Sequence, residues 1–286
     1  MNSIRKYYKE ILVGGLLLSN FFVYLAIYER LPGDTLAVYF LDVGQGDAIF
    51  IETPTHNRML IDGGRNRKVL SELGKILPFG DRRIDVVLAT HPDSDHIGGF
   101  PEVLKRYETE MFFESGVESD SELDLEINKI LDEKNIPQVL AKRGIVINFG
   151  DGVTLKILFP NQNVSKWETN DASIVAKLEY GEKSFLLTGD SPMKTENILI
   201  KLDPSSLDSD VLKAGHHGSR TSTSLSFTKL VSPEYTVISS GKDNSYGHPH
   251  QEVLDILEEV RSKIMNTKDL GTVEIKTNGR ELYVKN

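Results

Sequence analysis

The chain has 286 residues and no cysteine. Disulfides and thiolate metal sites are therefore excluded, and any metal must be held by imidazole and carboxylate. Such ligands suit zinc, manganese or iron. A basic balance is missing too: 33 Lys and Arg face 42 Asp and Glu, a formal charge of −9. This argues against a generally basic nucleic-acid binder. It leaves a nuclease open, because bound divalent cations supply positive charge locally. Residues 35–286 show no internal linker, low-complexity segment or short repeat. Apolar content of 39% and charged content of 26% are ordinary for a globular chain with a formed core. The length allows one large domain or two small ones.

Histidine is scarce and unevenly placed. Six of the seven fall in loops that follow apolar runs of strand length, and His56 lies in a polar turn. The densest loop is LATHPDSDHIGG, residues 88–99. The β-branched run 84–88 before it reads as a buried strand. Pro92 cannot continue that strand's hydrogen bonding. His91, Asp93, Asp95 and His96 therefore crowd a six-residue loop at a strand end, and Gly98 and Gly99 let the chain turn before a helix near Pro101. An Asp-rich turn accounts for one or two such residues; two His and two Asp together read as a metal loop. Asp190 after the run 186–188, His216 and His217 after 211–213, and His248 and His250 after 235–239 repeat the arrangement. Strand ends at one sheet edge are where α/β folds gather their sites.

The remaining pattern is mixed α/β. Strands are expected over 36–41, 48–52 and 58–62, then 144–149, 153–159, 173–180, 184–188, 210–213, 235–239, 272–276 and 281–284. Helices are expected over 68–77, 101–107, 123–134 and 251–264. The acidic stretch 114–124 reads as a solvated loop. Strands at both ends with helices between suggest two packed mixed sheets flanked by helices.

Residues 11–28 form an eighteen-residue run without a charge, just long enough to span a hydrocarbon core as one helix. Arg5, Lys6 and Lys9 precede it and Arg30 alone follows closely, so the positive-inside rule predicts an extracytoplasmic body. The expected organisation is 1–34 as cytoplasmic tail, transmembrane anchor and linker, and 35–286 as the functional domain, at the cell membrane in a single pass. Secretion after signal cleavage is the alternative, although no small-x-small site is evident before residues 29–30.

The His-x-Asp-x-Asp-His loop resembles the metal motif of the metallo-β-lactamase superfamily in its less common form, with Asp93 where the usual motif has a second His. DVGQGDA (42–48), LIDGG (60–64), LLTGD (186–190), KAGHHGS (213–219) and YGHPH (246–250) resemble, in order, the C-terminal extracytoplasmic domain of ComEC-type DNA-uptake proteins. The resemblance implies an αββα sandwich with the site between the sheets at one edge. It also implies two divalent ions, zinc or manganese. His91 and Asp93 would serve one, Asp95 and His96 the second, and Asp190 both. His216 or His217 would be the later ligand, and Asp62 the acid supporting the metal loop. The family's third motif usually adds a His, yet none lies between His96 and His216. Asn170 or Asp171 stands where it belongs and is the expected substitute. The polytopic channel found elsewhere in that family does not carry over, since this chain has one candidate span.

Two divalent ions that share a water and clamp a phosphoryl group suit displacement at phosphorus. Asp95, His248, Lys242 and Asn244 are the candidate catalytic groups, with His248 as general acid or oxyanion stabiliser at the rim. Ser219, Thr221, Ser222 and Thr223 form a hydroxyl-rich loop, either a phosphate-binding feature or plain surface. The expected function is a membrane-anchored metal-dependent phosphodiesterase or nuclease acting on DNA, and the sequence gives no evidence for a protein partner. A different phosphodiester of the cell envelope is the rival substrate, and a non-catalytic binding module the rival class.

Overall fold

The computed structural model describes residues 7–28 and 33–285. Among the described residues fifteen strands, labelled in chain order, form two sheets. The first holds β1 (Leu36–Phe40), β2 (Ile49–Glu52), β3 (Arg58–Ile61), β4 (Val86–Leu88), β5 (Met111–Glu114) and β6 (Gln138–Leu140). The second holds β7 (Val146–Asn148), β8 (Val153–Phe159), β9 (Val175–Tyr180), β10 (Lys183–Leu187), β11 (Val211–Lys213), β12 (Tyr235–Ile238) and β13 (Lys263–Asn266). The last two strands, β14 (Val273–Thr277) and β15 (Leu282–Lys285), return to the first sheet, whose order is β15-β14-β1-β2-β3-β4-β5-β6. The second runs β13-β12-β11-β10-β9-β8-β7.

Strand alternation builds the layers. Val38 and Phe40 of β1, Ile49 and Ile51 of β2, and Leu155 and Ile157 of β8 share one core between the sheets. Phe50 of β2 points the other way, into a core with Leu73, Phe100 and Leu131 from the helices Lys68–Ile76, Phe100–Arg106 and Glu122–Lys134. Leu186 and Leu212 of the second sheet face outward onto Leu199 and Phe227, from the helices Met193–Leu202 and Leu225–Val231. Each sheet is thus covered on both faces, which is why its strands read as near-continuous apolar runs. Each fully buried Leu, Ile or Phe contributes roughly 1.5–3 kcal/mol by leaving water. The architecture is the expected αββα sandwich.

Several elements differ from the sequence expectation. β5 and β6 extend the first sheet where no strand was legible, and the acidic stretch begins as the end of β5. The helix expected over 251–264 ends at Glu259; Arg261 turns with φ +61°, and Lys263–Asn266 pairs in parallel with β12. The loop at 91–96 is partly helical, since Ser94–Ile97 is a short helix carrying Asp95 and His96.

The helix Tyr8–Tyr28 contains the apolar run, and its large side chains through Tyr24 are exposed. Among the described residues no helix is long and apolar enough to cross a membrane, so the span expected over 11–28 is not shown. Arg5, Lys6, Arg30 and residues 29–32 lie outside the described residues.

Topology gathers the histidine loops. β3 and β4 are parallel, as are β10, β11 and β12. Their carboxyl ends carry Asp62, the 91–96 loop, Asp190, the histidine pair and the 239–250 loop, so these residues collect at one edge of the sandwich.

Candidate metal centre

The 91–96 loop is held from below by Asp62. Asp62 adopts φ +57°, a left-handed conformation that Asp tolerates better than most residues. Its carboxylate accepts from Thr90 N at 2.8 Å, Thr90 Oγ1 at 2.7 Å and His96 Nδ1 at 2.8 Å. His217 Nδ1 donates to Ser239 O at 3.0 Å. His91 Nδ1 meets Thr90 Oγ1 at 3.0 Å and Ser173 Oγ at 3.2 Å. In each ring the Nδ1 partner turns Nε2 inward, the arrangement that fixes metal-ligating imidazoles. The Nε2 atoms of His91, His96 and His217 are all buried without a hydrogen-bond partner.

Those nitrogens converge on carboxylates. Asp190 Oδ2 lies 3.3 Å from His96 Nε2, 3.2 Å from His217 Nε2 and 3.9 Å from His216 Nε2. Asp93 Oδ2 is 3.6 Å from His91 Nε2, and Asp95 Oδ2 is 3.5 Å from His217 Nε2. Donor atoms of His91, His96 and Asp190 lie within 4.8 Å of one another, as do those of Asp95, His96 and His217. Unpartnered buried donors facing one space are a good fit for divalent cations.

Residues 41–242 match the family described as the metallo-beta-lactamase superfamily. The chain belongs to this superfamily. It is 32% identical to ComE operon protein 3 of Bacillus subtilis, over 93% of this chain and 36% of that protein. It is also 32% identical to Recombination protein 2 of Haemophilus influenzae, over 88% of this chain and 30% of that protein. The chain thus spans about a third of the length of these curated relatives. Among solved structures, the metallo-beta-lactamase fold protein YhfI of Bacillus subtilis superposes with a TM-score of 0.55 at 13% identity, over 85% of this chain and 99% of that one. That likeness is one of fold alone.

Two buried residues without an expected role lie against the donor cluster. Lys213 is fully buried and ion-paired with Asp47; its Nζ donates to Gly189 O at 2.9 Å and lies 3.5 Å from Asp190 Oδ1. Asp47 Oδ1 in turn lies 3.3 Å from His217 Nδ1. A lone cation ending an apolar strand, and an Asp behind a glycine turn, were the available signals for them. The glycine is needed: at Gly46, φ +128°, a Cβ would stand 2.1 Å from Asp95 O, so only glycine lets this turn lie against the helical turn bearing Asp95.

Other expected residues are placed differently. Asp171 is ion-paired with Lys194. Its loop reaches the site through Ser173, while Asn170 Oδ1 is buried without a hydrogen-bond partner. Asn244 clamps its own loop, donating to Gly241 O at 2.7 Å and His248 O at 2.9 Å and accepting from His248 N at 2.8 Å. Lys242 is exposed. Ser219, Ser222 and Thr223 are buried; Ser222 Oγ donates to Gly215 O at 2.6 Å, so this loop supports the histidine pair from within. His248 is buried at the rim, its ring centroid 5.7 Å from that of His216 and 6.2 Å from that of His217.

Charge coupling follows the geometry. Burial alone would discharge His96 and His217. Asp190 with Asp62 around the first ring, and Asp190 with Asp47 around the second, outweigh it and raise both well above the usual imidazole range. Burial would likewise raise Asp190, but His217, His96 and Lys213 hold it well below the usual carboxylate range. For His248, burial first and then the His217, His216 and His250 charges push the ring down to about 4. Without metal, then, protons stand where cations would.

This predicts a pH signature. The lowered Asp190 contributes stability that is complete above about pH 4 and lost as pH falls further. The raised histidines contribute stability that is complete below about pH 6.5 and lost as pH rises through their folded values. Metal-free protein should be most stable between those limits. Saturating manganese should extend the plateau upward, since metal ligation requires unprotonated nitrogens. Urea midpoints measured from pH 3 to 9, with chelator and with manganese, check this; superimposable profiles would refute it.

Proposed function

We propose that the chain is a membrane-anchored binuclear metal-dependent phosphodiesterase whose substrate is DNA. The carrying observation is the convergence of the His96, His216 and His217 Nε2 atoms on Asp190 Oδ2, with the buried Nε2 atoms of His91, His96 and His217 lacking hydrogen-bond partners. His91, Asp93, His216 and Asp190 are assigned to one cation, and Asp95, His96, His217 and Asp190 to the other. His216 then takes the part of the histidine missing from the third motif. Its Nδ1 meets Thr221 Oγ1 at 3.2 Å, leaving Nε2 toward Asp190. Charge supports two ions: among the described residues, Asp47, Asp62, Asp93, Asp95 and Asp190 face only Lys213 as a permanent cation, a deficit of four that two divalent cations neutralise. Bound there, they would supply Lewis-acid charge to a phosphoryl oxygen and an acidified water. Asp62, Ser239 and the Thr90–Ser173 pair keep the three rings oriented. His248, neutral at pH 7, donates an N–H to a developing oxyanion rather than transferring a proton as an imidazolium; neighbouring cations would only lower its pKa further.

DNA is favoured over other phosphodiesters by the relatives, which carry the names ComE operon protein 3, Recombination protein 2 and Competence protein ComA. The deciding experiment measures metal content of the purified chain, then hydrolysis of bis-p-nitrophenyl phosphate, single-stranded DNA and duplex DNA with manganese or zinc. About two metals per chain and turnover of the small diester and of DNA are expected, with His216→Ala retaining about one metal. A metal-free, inactive chain that still binds DNA would identify a binding module instead.

The anchor rests on the sequence alone, on the uncharged run 11–28 and the Lys and Arg bias before it. The full chain should stay with membranes through alkaline carbonate, and a reporter fused after residue 286 should be active only outside the cytoplasm. Release into the carbonate supernatant would remove the anchor.

A further inference from the structure

Tyr246 stands at the mouth of the metal centre and is 56% exposed. Its ring is stacked on His248, centroids 5.6 Å apart and planes 20° from parallel. One face is therefore backed by a buried ring and the other is open. A half-exposed aromatic on a mobile loop would mean little, but this loop is held. Asn244 makes three hydrogen bonds across it, Gly241 N donates to Gln45 Oε1 at 3.1 Å, and His250 N donates to Gly218 O at 2.9 Å. The rings of Tyr246, His248 and His217 form a continuous line from solvent into the donor cluster. Beside it the Arg220 backbone N donates to His250 Nδ1 at 3.1 Å, while the exposed Arg220 guanidinium is ion-paired with Glu252 at 3.4 Å. With a chain charge of −9, broad electrostatic attraction of a polyanion is weak, so contacts at the mouth gain weight.

We propose that Tyr246 is a stacking platform for an unpaired nucleobase, placing the adjoining phosphodiester of single-stranded nucleic acid at the metal centre. The assignment rests on the phosphodiesterase reading above and specifies its substrate. Stacking requires an unstacked base, so the site selects single strands over duplex. Base–aromatic stacking contributes about 1–3 kcal/mol per base, equivalent to roughly 5- to 150-fold in affinity.

The test compares the full chain with manganese on two oligonucleotides of equal length and charge, one of thymidines and one of abasic tetrahydrofuran units, with bis-p-nitrophenyl phosphate as a third substrate. Wild type should show a KM lower for the thymidine strand by roughly 5- to 150-fold. Tyr246→Ala should remove most of that difference by raising KM for the thymidine strand, and Tyr246→Trp should restore it. Equal KM values for both strands in wild type would overturn the platform while leaving a nuclease. An equal loss on both strands in Tyr246→Ala, unrescued by Trp, would also overturn it and make Tyr246 a support for His248. Hydrolysis of the small diester with neither strand cleaved would sink the DNA reading, and the platform with it.

Discussion

Asp190→Ala should abolish activity, with kcat falling at least about 10³-fold, roughly 4 kcal/mol of transition-state stabilisation. Asp190 faces three of the candidate ligands at once. Its Oδ2 lies within 3.9 Å of the Nε2 atoms of His96, His216 and His217, and its Oδ1 lies 3.5 Å from Lys213 Nζ. Removing it subtracts the one carboxylate common to both proposed cation positions and leaves His96 and His217 without their strongest anionic neighbour. Metal analysis should therefore show both cations weakened, not one. Asp171→Ala is the matched control: its carboxylate holds Lys194, so both metals and most activity should remain. An Asp190→Ala protein that keeps two tightly bound metals would remove Asp190 from the bridging position. A loss of metal in Asp171→Ala would return that residue to the ligand shell.

Lys213→Met should destabilise the fold by about 3–5 kcal/mol, the usual cost of leaving one member of a buried ion pair behind. The ammonium has no exposure, and Asp47 beside it is 1% exposed, so neither charge can turn to water. Asp47 would then be left against His217 and His96 alone. The double variant Lys213→Met/Asp47→Leu should recover much of the loss, because the orphaned charge is gone. Urea unfolding of the single and double variants in chelator measures both. A single-variant loss below about 1 kcal/mol would mean that water reaches Asp47 and that the pair is not a structural device. Activity separates a second role: if Asp47 also orients the His217 ring, the double variant should refold stably yet keep a raised KM for metal.

Much of the site was legible because its residues obey local rules. Pro92 and Gly98 end a strand and permit a tight turn wherever the segment sits, so a donor-rich strand-end loop follows from 84–99 alone. The same holds for Gly189–Asp190 and for the 216–217 pair. Clustering of six histidines in such loops implied convergence before any fold was known. The glycine turn and the apolar runs within 36–61 likewise specified the first three strands. Local rules fail where a partner decides. Met111–Glu114 and Gln138–Leu140 are short, and only parallel pairing alongside β4 makes them strands. Residues 251–264 keep a helical spacing throughout, yet 263–266 joins β12 because a sheet edge there offers hydrogen bonds that a longer helix would forgo.

The donor set shows the same division. Sequence alone determined which residue types were present, that no thiolate could serve, and that ligands lay after strands. Tertiary structure decided which of them meet. Asp171 occupies the expected stretch but faces Lys194, and Asn244, read as catalytic, closes its own loop. Lys213 and Asp47, far apart in sequence, become the pair beneath the site. Spacing along the chain constrains neighbours within a turn or two; contact between distant loops depends on strand order and on the packing of the two sheets. A buried charge acquires its meaning only from what that packing places within a few ångströms of it.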